Sequence, residues 1–192
     1  RDLHSFPTRR SSDLWQILWN PEFAERVEPL VLGGTGSYSH MEEQPRELPD
    51  RFESGTPNLP GIVGLHASLG WIAETGLDRI AAREHELGER LMEGLARVGG
   101  VILYGRRSME GRLPVLAMNI NGVDNGMLAD ALSQEGFETR PGLHCAPVAH
   151  RTLGSFPQGS LRVSPGYFTT PQEIELFLEA LHKAVERLKE RN

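Results

Sequence analysis

From Gly99-Gly100 to its end the chain alternates short apolar strands with amphipathic helices, a pattern that fits a compact α+β domain. The stretches "VILYG" and "LPVLAMNI" read as strands, the second apolar on both faces and therefore buried. Asp124 is placed to cap a helix carrying Met127, Leu128, Ala131 and Leu132, which Gly136 ends. "FETR" and "SLRV" are two further strand candidates. The last element carries the fullest set of signals. Thr170-Pro171-Gln172-Glu173 forms a capping box with proline at the first helical position. Ile174, Phe177, Leu178, Leu181, Val185 and Leu188 then recur as one apolar stripe.

Ahead of the double glycine the pattern differs. Residues 1–14, "RDLHSFPTRRSSDL", show neither helical nor alternating period and lack the apolar stretch of a signal peptide. They read as a non-native leader. Trp15 to about Pro60 is loop-rich, with "GGTGS" at Gly33–Ser37 and "RFESGTPN" at Arg51–Asn58. A helix is predicted over 61–75 with Ile62, Leu65, Leu69 and Ile72 on one stripe, closed by Gly76. Asp78 is expected to cap a long helix to about Val98, with Ile80, Leu87, Leu91 and Leu95 facing inward. There is no internal repeat.

Composition sets the functional limits. An apolar fraction of 39% and a charged fraction of 24% suit a soluble globular chain. The net charge of -6 argues against nucleic acid as a partner, and no apolar run reaches the roughly 18 residues of a membrane helix. The single cysteine, Cys145, leaves no internal disulfide and suits a reducing cytoplasm. Of the 20 basic residues all are arginine except Lys183 and Lys189, both in the charged C-terminal helix. Chemistry that needs a lysine in a pocket is hard to house here.

Cys145 falls between two strand candidates, five residues after Arg140, next to His144 and ahead of Arg162. A nearby arginine favours thiolate over thiol. An arginine fork also grips a carboxylate through two parallel hydrogen bonds. This set would suit an amino-acid substrate held by its carboxylate, although a lone cysteine is also compatible with an inert buried residue. Cys145, His144 and His150 provide three candidate metal ligands without the paired spacing of a zinc site. His66, His85 and His182 fall on predicted helices and read as surface residues.

The segment "RPGLHCAP" resembles the active-site segment of the cysteine desulfurase and selenocysteine lyase group of class V aminotransferases, in which arginine, glycine, histidine, cysteine and alanine recur at this spacing. "GGTGS", "RFESGTPN" and "SLRVSPGYFTTPQEI" follow that group's order and approximate separations. The resemblance runs from about residue 30 to the end. It implies an α/β protein of the pyridoxal-phosphate-dependent fold type I. Residues 15–76 would be a remnant of the large cofactor-binding domain, 77–98 a linking helix and 99–192 the small C-terminal α+β domain.

By the same resemblance Cys145 is the catalytic residue that takes the substrate sulfur as a persulfide. Arg162, Arg140 and His144 form the substrate-binding set. Thr35, with Gly34 and Gly36, reaches the phosphate of pyridoxal 5'-phosphate in a neighbouring subunit, which implies a homodimer. The substrate would be L-cysteine, giving alanine, with selenocysteine as the alternative and a sulfur-acceptor protein as a possible partner. Two departures stand out. Leu143 replaces a second histidine common in desulfurases. The family's Schiff-base lysine lies upstream of Trp15, so the chain reads as an inactive fragment of a desulfurase. Two other readings are a stand-alone sulfur carrier using Cys145 and a structural remnant that folds poorly.

Overall fold

The computed structural model describes residues 21–38 and 40–190. The expected leader at 1–14 lies outside the described residues, as does the start of the expected domain remnant. The chain divides into two compact units, 1–74 and 75–192.

The first unit is mostly loop. It holds a short helix α1 (Pro21–Ala24), a helical turn at Asp50–Phe52 and the helix α2, Leu59–Thr75. Gln44 organises the loops through both ends of its amide: its oxygen accepts from the Gly33 N–H at 3.1 Å, and its nitrogen donates to the carbonyls of Asp50 and Arg51 at 3.0 and 3.2 Å. The α2 helix forms where the apolar period predicts it. No residue of it is buried, and Ile62 and Leu69 of the expected stripe are exposed. The period fixes the helix, while burial requires a covering surface that the described residues do not provide.

The second unit carries the core. α3 (Leu77–Leu95) and α6 (Pro171–Lys189) pack together, and α4 (Asn125–Gln134) packs on α6. Asp78 is not the cap of α3: Gly76, at φ 85°, holds that position, and Asp78 sits in the first turn. Only that glycine separates α2 from α3, and its positive φ is one that glycine adopts without strain. The helix ends at Leu95, and Ala96 to Val98 continue as tight turns. Asp124 caps α4 by accepting from the Met127 N–H at 3.0 Å.

The sheet is antiparallel in the order β1 (Val101–Tyr104), β2 (Leu116–Ile120), β3 (Leu161–Val163). The second strand starts later than "LPVLAMNI" suggests; Pro114 lacks the N–H a ladder needs, and Leu113 and Val115 are exposed. Register places Leu116 opposite Val163 and Met118 opposite Leu161. These four side chains are buried against Leu87, Leu91, Leu128, Leu132, Phe177 and Leu181 of the helices. Each such leucine contributes about 1.5–3 kcal/mol of burial. The alternate residues Tyr104, Ala117, Asn119 and Arg162 therefore lie on the sheet face away from the helical core.

The Thr170–Glu173 capping box is complete. The Thr170 hydroxyl accepts from the Glu173 N–H at 3.2 Å, and the Glu173 carboxylate accepts from the Thr170 N–H at 2.7 Å. Since α6 supplies much of the core, Thr170→Ala is expected to cost about 1 kcal/mol. Urea denaturation of the pair of proteins measures it, and an unchanged midpoint would contradict the assignment.

Candidate active site

The site begins at the edge of β3 away from β2. "FETR" does not form a strand: only Arg140 pairs, because Pro141 follows it with no N–H to give. Arg140 and Arg162 exchange both backbone hydrogen bonds, at 3.2 and 2.8 Å, and two residues on Gly142 and Ser160 do the same at 3.0 and 3.1 Å. Directly opposed residues project to the same face of a sheet, so Arg140 and Arg162 stand side by side beyond Ala117. Like charges in that position are destabilising on their own. Guanidinium forks on opposed residues are chemically suited to gripping an anion such as a carboxylate. No Asp or Glu stands between Glu138 and Glu173 to neutralise them.

Beyond Gly142 the chain leaves the sheet through a tight turn that sequence patterning did not resolve. His144 and Cys145 both take left-handed backbone angles, φ 50° and 60°. Such angles are strained for residues with a Cβ and cluster at functional positions. The turn closes through Ala146 N–H donating to the Leu143 carbonyl at 2.8 Å. It then feeds a short helix α5, Pro147–Thr152, whose first-turn proline was the only sequence signal of it. Cys145 is exposed and free. The structure thus brings Arg140, His144 and Arg162 to one strand edge, with Cys145 the next residue along the chain after His144.

His144 Nε2 donates to the Ser160 carbonyl at 3.0 Å, while its Nδ1 is buried without a partner. Burial holds the imidazole below its ordinary pKa, the Ser160 carbonyl opposes this, and the positive charges of Arg162 and Arg140 add to the depression. The folded chain therefore favours neutral His144. That stability is present above the usual imidazole range of about 6.5 and is lost as pH falls below it, where the unfolded chain binds a proton the fold resists. His144→Gln is expected to flatten this acid-side loss in urea midpoints taken from pH about 8 down to about 5. An unchanged slope would count against it.

Sequence reasoning missed a polar network that reaches Gly159, the residue before Ser160. Asn119 donates to the Tyr104 hydroxyl at 3.1 Å and to the Gly159 carbonyl at 3.0 Å, and Asn125 donates to Asn119 at 3.0 Å. His150 is buried, its Nδ1 2.7 Å from the Ser155 hydroxyl. The signal for Asn119 was an amide inside the otherwise apolar strand "LAMNI".

In the first unit, Gly34 accepts from the Gly55 N–H at 2.8 Å, which ties "GGTGS" to "RFESGTPN". Gly36 turns at φ 78° with no atom near its α-carbon's missing side chain. The Thr35 and Ser37 hydroxyls lie 2.8 Å apart. Hydroxyls on a glycine-rich turn are suited to a phosphate oxygen. The aldehyde end of pyridoxal phosphate has no equivalent. Lys183 and Lys189 are both exposed on α6, and Lys189 is turned to the Gly99 carbonyl at 3.3 Å. The residues present fit the phosphate end of the cofactor and not its covalent attachment.

Comparison with known proteins places the chain in a family. The sequence profile for "Aminotransferase class-V" matches residues 17–177. A "Probable cysteine desulfurase" of Pyrococcus abyssi is 33% identical over 88% of this chain and 42% of its own length. One from Xylella fastidiosa is 36% identical over 70% of the chain and 32% of its own length. The crystal structure of a cysteine desulfurase from Escherichia coli superposes with a TM-score of 0.72 at 27% identity, over 87% of this chain and 41% of that one. The apo cysteine desulfurase of Thermococcus onnurineus gives 0.72 at 32% identity, over 88% and 42%. The chain therefore spans between about a third and two-fifths of these relatives' length. Its fold is that of the fold type I enzymes, and the chain belongs to the class V aminotransferases, a family of pyridoxal-phosphate-dependent enzymes.

Proposed function

We propose that this chain is the sulfur-accepting part of a cysteine desulfurase. The observation that carries the reading is the placement of an exposed thiol, Cys145, at the end of a strand pair whose opposed residues are Arg140 and Arg162. The arginine pair seats the substrate carboxylate. The Cys145 thiolate takes the substrate sulfur: a sulfur–sulfur bond forms as the carbon–sulfur bond breaks. The electron pair of the broken bond stays with carbon, which gains a proton to become alanine. Bound pyridoxal phosphate supplies the electron sink for such a cleavage. Thr35, Gly34 and Gly36 would meet its phosphate across a homodimer, and a persulfide on an exposed residue is open to an acceptor protein in a reducing cytoplasm.

No step in these 192 residues supplies the covalent link to the cofactor, since both lysines are exposed on α6. A second reading, a sulfur carrier charged by another protein, needs no attachment lysine and uses the same exposed thiol. Both readings require Cys145 to accept sulfur beside the arginines. The chain is expected to take one sulfur atom from cysteine persulfide, read by intact mass, with the thiol of cysteine leaving as the sulfur–sulfur bond is exchanged. Arg162→Gln should slow loading roughly tenfold, the worth of one charged hydrogen-bonded pair. Equal loading of the two proteins would reject the carboxylate seat. Added pyridoxal phosphate at equal concentration, followed by borohydride, should leave no stoichiometric pyridoxyl label; such a label would reject the absence of an attachment lysine.

A further inference from the structure

We propose that His144 is a positioning residue, not a substrate ligand: its Nε2–H, anchored on the Ser160 carbonyl, fixes Cys145 beside the arginine pair. The inference rests on the reading of Cys145 as the sulfur acceptor and adds what holds that thiol in place.

Three observations converge. A carbonyl oxygen only accepts, so the 3.0 Å contact puts the imidazole proton on Nε2 and leaves Nδ1 as a bare lone pair. That Nδ1 is buried and meets no donor, which removes the second nitrogen from contact with an entering substrate. The one N–H of the neutral His144 ring is thus spent on the protein.

The Ser160 carbonyl is also the acceptor of the last strand bond, from the Gly142 N–H at 3.0 Å. Gly142 and His144 therefore converge on one oxygen, one through the backbone and one through the side chain. The ring spans the place where the ladder stops and extends its hold two residues further along the chain.

The segment so held is the strained one. His144 and Cys145 are the two non-glycine residues with positive φ among the described residues. A left-handed pair persists only where surrounding contacts over-determine it. The backbone turn from Leu143 to Ala146 is one such contact and the His144–Ser160 bond is another. The groups facing the ring are Arg140 and Arg162, which act on its charge, and His150, whose ring centre lies 5.8 Å away. All of them disfavour a protonated ring, so the donor geometry persists through neutral pH.

Cys145 is the sole thiol of the full chain, so its alkylation needs no cofactor. The ratio of the iodoacetate rate to the iodoacetamide rate reads how close the thiol stands to the arginines, because only iodoacetate carries a carboxylate. Relative to N-acetylcysteine, the unaltered chain is expected to raise that ratio roughly fivefold or more. His144→Ala should return it to the free-thiol value with its thermal midpoint recorded alongside. His144→Gln, which retains a donor at a similar reach, should keep most of the preference. A ratio in His144→Ala equal to that of the unaltered chain overturns the proposal while leaving the arginine seat intact. Absence of any preference in the unaltered chain overturns the arginine seat, and the positioning role with it. A measurement on the unaltered chain covers the case of a poorly folding variant. Its ¹⁵N imidazole shifts should report the Nε2–H tautomer, and an Nδ1–H tautomer overturns the proposal.

Discussion

Cys145→Ser is expected to abolish sulfur uptake by this chain altogether. Oxygen cannot take the place of sulfur here. A serine hydroxyl is un-ionised at neutral pH, and it does not form the sulfur–sulfur bond that retains the transferred atom. With Cys145 the only cysteine, no other thiol can mask the loss. The fold should be indifferent to the change, because the side chain is exposed and makes no contribution to the core around Leu87, Met118 and Leu181. The measurement is intact mass after incubation with cysteine persulfide, before and after reduction. The unaltered chain should gain one sulfur that reduction removes, and the serine variant should gain none, a fall of at least about a hundredfold in loading rate. Sulfur retained on the serine variant would mean that the persulfide is bound elsewhere, and the assignment of Cys145 would fail.

How far that residue could be found without coordinates depends on which physical signals are local. Capping is local: the oxygens of Asp124 and Thr170 reach N–H groups three residues away, and both caps form as the sequence indicates. Helical period is local too, which is why α2, α3 and α6 appear where Leu69, Leu91 and Leu181 recur. Burial is not, and the α2 stripe shows the difference: its spacing is right and its residues are uncovered. Strand pairing across loops is also non-local. Nothing near "FETR" indicates that only Arg140 would find a partner, because that partner, Arg162, lies on β3 beyond α5. The motif "RPGLHCA" put Cys145 and the arginines forward as a set. It did not show that the two arginines are directly opposed, nor that His144 turns to Ser160. The Asn119 network was least legible of all, since its partners Tyr104, Asn125 and Gly159 are brought together by the sheet.

The same non-local packing makes Gly159→Ala the substitution with the largest expected effect on the fold around the site. Gly159 sits at φ 78°, where an added Cβ is strained by roughly 1–2 kcal/mol. More important is what that Cβ would meet. It would fall on the carbonyl of Gly142 and come within 2.9 Å of the Gly142 α-carbon. These are backbone atoms, which cannot rotate aside, so relief requires moving one strand edge away from the other at a further cost of about 1–3 kcal/mol. The sum, roughly 2–5 kcal/mol, corresponds to a drop in thermal midpoint on the order of 10 °C or more for a unit of this size. Gly136→Ala separates the two contributions. Gly136 has φ 87° and no atom within 4 Å of the added Cβ, so it should show the conformational strain alone. The excess for Gly159 over Gly136 is then the close approach to Gly142. Moving Gly142 also disturbs its bonds to Ser160, the carbonyl that His144 shares, so the iodoacetate preference of Cys145 should fall in Gly159→Ala and hold in Gly136→Ala. If the two alanine variants lose equal stability and keep equal preference, the contact between Gly159 and Gly142 does not support the thiol.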